Sequence, residues 1–240
     1  MATAPAPDDA ASEVTLRSLL ALRDFRFFLS GRFLGTLASQ IQSVAVGWQV
    51  YEITKSPMAL GFVGLVQFLP MFLLLLPAGD VADRVDRRLI AAASYLVQAA
   101  SVAMLAVLTW TGVAEHAIWP FYLALAIFGS ARAFSGPATR AFVPLLVSKR
   151  QLPRGIAISS SSFLTATIVG PALGGFIYIG GPLAAYGTCF TFFLICSAAF
   201  LAIHAPPARA RRPHAQHLWP HHSGRALHPP QTHRARRCLA

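Results

Sequence analysis

Six side chains set in otherwise apolar stretches could make directed contacts to a small molecule. They are Gln40, Gln42, Trp48 and Gln49 in one run, Gln67 in the next, and Arg132 further on. Amides donate and accept hydrogen bonds, an indole offers an apolar face with one donor, and a guanidinium takes an anion. Gln42 and Gln49 stand seven apart, on one face of a helix, with Gln40 and Trp48 flanking them. This is the chemistry of recognition rather than of bond breaking, since no nucleophile–base pair, phosphate loop or metal spacing accompanies it. The same amides could instead bond one helix to another, and both readings stay open. Arg132 is the one ionised group expected well inside an apolar run. In lipid such a charge must face a cavity or a partner, so Arg132 is a candidate for binding an anionic substrate or for proton coupling. Arg140, nearer a helix end, is expected to snorkel toward water. Glu52 and Glu115 are expected at the outer membrane face, which leaves no embedded carboxylate to carry a proton.

The elements that would position these residues are membrane helices. Only 12% of the 240 residues are charged and 55% are hydrophobic, whereas a soluble domain carries about 25% charged residues. Apolar runs approach the ~20 residues that cross a bilayer as a helix. Six spans are expected, at about 28–52, 58–79, 88–112, 117–147, 154–179 and 183–204. Pro137 and Pro144 are expected to kink or end the fourth. Short first, third and fifth links imply that consecutive spans lie side by side. Before the first span, Leu16, Leu19, Leu20 and Phe27 read as an interfacial helix behind a polar tail. The net charge of +11 falls mostly in links and in the final stretch, which argues against nucleic acid as a partner. Arg17, Arg23, Arg26 and Arg32 precede or begin the first span. Arg84, Arg87, Arg88, Lys149, Arg150 and Arg154 cluster in the even links, against Lys55 alone in the odd ones. That asymmetry puts the N-terminus in the cytoplasm. Cys189 and Cys196 read as small buried thiols.

Two further stretches carry helix-to-helix chemistry. In "GDVADRVDRR", residues 79–88, Gly79 would let two helices approach and Asp83 would cap the third span. Arg84, Arg87 and Arg88 would reach anionic lipid or neighbouring helix C-termini. In "TIVGPALGG", residues 167–175, Gly170 and Gly174 share a face against which another backbone could pack, and Pro171 permits a bend. Gly31, Gly35 and Ser39 form a separate stripe on the first span, expected to be a packing seam.

Taken in order, these residues resemble the major facilitator superfamily. Gly79, Asp83, Arg84, Arg87 and Arg88 match its loop 2–3 signature, with Asp86 where a glycine is usual. That substitution is similar to the branch of drug, macrolide and siderophore exporters that includes the enterobactin exporter. "VAVGWQVYEITKSPMALGFVGLVQFLP" and "GPATRAFVPLLV" point the same way. Gly170, Pro171, Gly174 and Gly175 resemble the superfamily's antiporter signature. The resemblance covers about residues 20–205. It implies an all-α integral membrane protein, six transmembrane helices forming the N-terminal half of a twelve-span fold. It further implies a multi-pass protein of the bacterial inner membrane and a proton-coupled secondary exporter of small amphipathic molecules by alternating access. Loop 2–3 would latch the two halves together. No cofactor or resident metal is implied. The partners implied are the bilayer, a small-molecule substrate, and a missing C-terminal half or a second copy.

After residue 205 the composition changes. Seven of the eight histidines lie at or beyond residue 204, among arginine, proline and alanine. Residues 206–240 are expected to be a disordered basic tail, and the GC-rich codons of these residue types suggest translation out of frame. Two other readings compete with a truncated exporter half. One is a homodimeric half-transporter. The other is a membrane protein whose His214, His217, His221 and His222 bind zinc or copper.

Overall fold

The computed structural model describes residues 19, 21–113, 117–140, 142–148 and 150–204, without the side chains of Ala82 and Asp83. The polar tail, Glu115 and the expectations for residues 206–240, the histidine site included, lie outside the described residues. Seven helices follow one another among them: α1 (Arg23–Thr54), α2 (Pro57–Arg84), α3 (Arg87–Trp110), α4 (Trp119–Arg140), the single turn α5 (Val143–Leu146), α6 (Leu152–Tyr178) and α7 (Pro182–Leu201).

Punctuation by proline and glycine sets most of these boundaries. Lys55 closes α1 in the left-handed region, at φ 49°, with its N–H on the Tyr51 carbonyl. Proline opens α2, α6 and α7 within their first two positions, where the missing N–H costs nothing. Gly181 precedes α7 at φ 93°. Inside the helices, Pro70, Pro77, Pro137 and Pro171 are tolerated. The fourth apolar run breaks between Arg140 and Val143, so Pro137 stays helical and Pro144 starts the separate turn α5.

Two boundaries depart from the sequence reading. α1 begins at Arg23, so residues assigned to an interfacial helix continue into the first long helix, where Phe25 and Phe28 are fully buried. α1 is then 32 residues long, about 48 Å, more than a ~30 Å hydrocarbon core. The second run does not stop at residue 79. α2 continues to Arg84 because nothing in "GDVADR" breaks a helix and Asp80 pairs with Arg84 one turn on, at 3.1 Å.

Among the described residues, four helices are long and apolar enough to cross a membrane: α2 over Pro57–Val81, α3, α6 and α7. α1 and α4 are long enough but more polar. Side-by-side packing of consecutive helices holds for α3 with α4 alone. α1 barely touches α2, and α6 barely touches α7. Extensive packing joins α1 to α6 and α7, α2 to α4, and α3 to α4 and α7. A short link sets proximity at one end only; the interface follows where small residues let backbones close. Exchanging α1 with α4, α2 with α6 and α3 with α7 maps this packing onto itself, so two three-helix units pack alike.

The core lies along α1, α3, α4 and α7. Phe200 of α7 is its hub, with ring centroids 5.4 Å from Tyr95, 5.5 Å from Phe142 and 6.2 Å from Phe28. Phe193 extends the cluster to Phe128 at 5.8 Å. Cys189 and Cys196 are buried free thiols whose Sγ atoms lie 3.3 and 3.2 Å from the carbonyls of Ala38 and Gly31 on α1. α2 and α6 stand apart from this core. Leu65, Phe68, Phe72, Leu73 and Leu76 of α2 and Phe163, Leu164, Ile168 and Phe176 of α6 are exposed.

Candidate transport cavity

Backbone contact, made possible by glycine, holds α2 and α6 in place. A Cβ on Gly129 of α4 would overlap the Gln67 carbonyl oxygen of α2. A Cβ on Gly170 of α6 would stand 2.5 Å from Gln40 Cβ, and one on Gly174 would stand 3.1 Å from Ile41 Cα of α1. Gly170 and Gly174 thus form the close seam expected of them. Gly175 has no neighbour at its Cβ position and takes no part in it, and Pro171, on an exposed face, sits between them. Gln40 Nε2 donates across the seam to the Thr167 carbonyl at 3.3 Å.

Two cavities open beside these seams. The larger, about 500 Å³, is walled by α1, α2, α3, α4 and α6. Arg32, Thr36, Ser39 and Gln40 face it from α1, Tyr95 and Gln98 from α3, and Arg132, Ser135, Thr139 and Arg140 from α4. Phe68, Met71, Phe72 and Leu75 of α2 add an apolar part to its lining. The smaller, about 440 Å³, is lined by Ser43, Gly47, Gln67 and residues of α2, with Arg132. Arg132, Phe68 and Met71 border both.

Of the residues singled out as substrate contacts, Gln40 lines the larger cavity, Gln67 the smaller and Arg132 both, while the other three line neither. Gln49 is buried in the packed interior, where Oε1 accepts from the Tyr186 hydroxyl at 2.6 Å and Nε2 donates to Thr109 Oγ1 at 2.8 Å. Gln42 is fully buried, with neither amide atom hydrogen-bonded among the described residues. Trp48 is 55% exposed and stacks on Tyr178 at 6.4 Å, away from both cavities. Tyr178 in turn donates to Glu52 Oε2 at 2.9 Å. The cavity stripe on α1 is instead Arg32, Thr36, Ser39, Gln40, Ser43 and Gly47, at helical spacing. Sequence reasoning had assigned Gly35 and Ser39 of this face to a packing seam. Gly35 is tightly packed against Tyr95, yet it and Ser39 both border the larger cavity. Arg32, Arg140 and Gly129 were not singled out as site residues. The stripe itself was the available signal for Arg32; Arg140 stands eight residues after Arg132, on roughly the same helical face.

The charged link is also rearranged. Asp86, not Asp83, is the N-cap of α3, its Oδ1 accepting from the Arg88 N–H at 2.9 Å. Asp83 lies within the last turn of α2, before the link, and so cannot start the next helix. Gly79 meets open space at its Cβ position, so among the described residues nothing packs on that face. Arg88 Nη1 donates to the Ile203 carbonyl just past α7 at 2.8 Å, a helix C-terminus of the kind expected for these arginines.

Comparison with known proteins follows the same lines. A family model described as a transmembrane secretion effector matches residues 17–227. Macrolide efflux protein A of Streptococcus pyogenes is 30% identical over 149 residues, 62% of this chain and 36% of its own length. The staphyloferrin A transporter of Staphylococcus aureus is 28% identical over 182 residues, 74% of this chain and 43% of its own. Macrolide efflux protein A of Enterococcus faecalis is 31% identical over 116 residues. The chain spans well under half the length of the curated relatives it matches.

Proposed function

The chain belongs to the transmembrane secretion effectors of the major facilitator superfamily, and on that premise we propose that it is the six-span N-terminal half of a secondary active exporter. It moves small amphipathic molecules out of the cell by alternating access, driven by a proton gradient. One observation carries this reading: a cavity of about 500 Å³ lined by polar side chains of α1 and α4 and by apolar side chains of α2. Such lining suits a molecule with a polar end and an apolar body. The relatives are named for exporting macrolides and for transporting staphyloferrin A, and either compound class is a reasonable first candidate here.

The exposed faces of α2 and α6 would meet lipid or a second half, and the open space at Gly79 would receive a helix of that half when the charged link latches. Asp80, Arg84 and Arg87 belong to the same latch surface. Neither cavity is lined by a carboxylate or histidine among the described residues. The N-terminus and the Val85–Asp86 link face the cytoplasm of a bacterial inner membrane. A cysteine placed at Thr54 should then react with an impermeant reagent from outside, while one at Val85 should not; the opposite pattern would invert the topology.

The export reading is tested in bacteria deprived of their main exporters, by accumulation of a fluorescent amphipathic dye. Co-expressing the chain with the C-terminal half of a relative should lower accumulation, and collapsing the proton gradient should restore it. Unchanged accumulation at verified membrane expression would overturn the reading. Lowered accumulation with the chain alone would mean that two copies suffice.

A further inference from the structure

We propose that the larger cavity is an anion-binding site, so that the exported molecule carries a carboxylate, sulfonate or phosphate on an apolar body. This rests on the export reading and narrows its substrate class.

Three guanidinium groups face this one space: Arg32 from α1, and Arg132 and Arg140 from α4. Among the described residues, no carboxylate lines it. Three of the described carboxylates are engaged elsewhere. Glu52 accepts from Tyr178, Asp80 pairs with Arg84, and Asp86 caps α3. Asp24 lies in the first turn of α1, more than two turns from Arg32 along the helix and outside the lining. Among the described residues, the guanidinium groups of Arg132 and Arg140 make no hydrogen bond or ion pair, and Arg32 Nε is buried without a partner. The Arg32 guanidinium instead lies over the Phe163 ring at 5.5 Å, and Phe163 is itself part of the cavity wall.

Such an arrangement is costly when empty. Like charges repel across a space with low-dielectric walls, and an unpaired cation at membrane depth is expensive. A bound anion reverses both effects, and guanidinium forks fit the oxygens of carboxylate, sulfonate or phosphate groups in pairs. The remaining polar lining, Thr36, Ser39, Gln98 and Ser135 among it, is neutral and able to share hydrogen bonds with the same oxygens. Phe68, Met71, Phe72 and Leu75 give the apolar body a surface to bury. Arg132 borders the smaller cavity as well, so it alone of the three keeps hold of an anion that advances from one space to the other.

The test uses the whole chain in phosphatidylcholine nanodiscs, with signal from empty discs subtracted. The probes share an aromatic body: 8-anilinonaphthalene-1-sulfonate, an anion, and N-phenyl-1-naphthylamine, which is neutral. The anion should bind at least about tenfold tighter, and each of Arg32→Gln, Arg132→Gln and Arg140→Gln should weaken it about tenfold while the neutral probe shifts less than about twofold. Arg132→Lys, which keeps the charge and loses the fork, should fall between wild type and Arg132→Gln. Added sodium chloride should weaken the anion alone. Replacing part of the lipid with phosphatidylglycerol distinguishes two sources of the anion: unchanged affinity supports a dissolved substrate, and Arg132-dependent competition supports an anionic lipid headgroup in the same site. Equal binding of both probes, indifferent to the arginine variants but blocked by Met71→Trp, would overturn the anion proposal and leave the exporter reading standing. Binding of neither probe, or binding indifferent to Met71→Trp, would overturn both.

Discussion

α1 and α4 differ from α2 and α6 in almost every respect that a membrane makes important. The first pair carry arginine, glutamine, serine and threonine, and they contribute buried residues along their whole length. The second pair are among the more apolar helices and leave most of their side chains exposed. In water the apolar pair would be the core. In lipid the relation inverts, because the surroundings are as apolar as leucine and polarity is what must be hidden or put to use. Each outer helix is nonetheless held against an inner one at glycine, α2 at Gly129 and α6 at Gly170 and Gly174. The glycine sits on the inner helix in one seam and on the outer helix in the other, so the two units share the closeness of approach and not the residue that supplies it.

If the inner and outer pairs differ as described, the largest effect should come from prying a seam apart. Gly129→Leu sets a side chain against the Gln67 carbonyl, which cannot rotate away, and should cost about 3 kcal/mol or more of unfolding free energy. Denaturant titration in detergent, followed by circular dichroism, measures it; a near-wild-type midpoint would mean that α2 does not rest on α4. A smaller loss is expected inside α1. Gln49→Leu leaves the buried Tyr186 hydroxyl without its acceptor and should cost about 2 kcal/mol, with much of this recovered in the double variant carrying Tyr186→Phe. Failure of the second change to compensate would break the pairing.

Neighbouring residues on α6 sharpen the comparison further. Gly174→Ala places a methyl 3.1 Å from Ile41 Cα and should destabilise by about 1 kcal/mol, whereas Gly175→Ala meets nothing and should be neutral or stabilise by up to ~1 kcal/mol. Equal effects would mean the seam does not run along that face. The smallest effect belongs to the outer surface. Leu76 of α2 is 86% exposed, and Leu76→Ala should shift stability by less than about 0.5 kcal/mol. A large loss from the chain alone would show that a second copy already covers α2.

How far the sequence discloses all this depends on the physical signal available. Helices are legible because proline and glycine interrupt the apolar runs at Pro57, Gly181 and Pro182, and the family is legible in the order of residues 79–88. Packing order is not, since side chains facing lipid and side chains facing a neighbouring helix are equally apolar. The same ambiguity left two readings of the glutamines open. Gln42 and Gln49 are polar residues at helical spacing, as a cavity lining would be, yet they are interior groups, and the lining runs along the Arg32–Gly47 stripe one face over. Gly129 carries no pattern at all: a lone glycine in a run of small residues reveals its role only when the Gln67 carbonyl is seen beside it. The cap on α3 went to Asp86 because α2 continued farther than a charged segment suggests.

The packing of α1 with α6 and α7, rather than with its sequence neighbour, bears on how the chain is made. A ribosome working at roughly 5–20 residues per second needs about 5–20 s to go from the end of α1 to the start of α6. Throughout that interval α1 lacks the cover of α6 and α7, and Gln49 lacks its Tyr186 partner. Helices α2, α3 and α4 appear first, and only α3 and α4 among them form a large interface of consecutive helices. The most polar helix is thus the first made and among the last to be enclosed. Its retention beside the insertion machinery, until residues 152–201 arrive to cover it, becomes a step that synthesis rate and insertion factors can control.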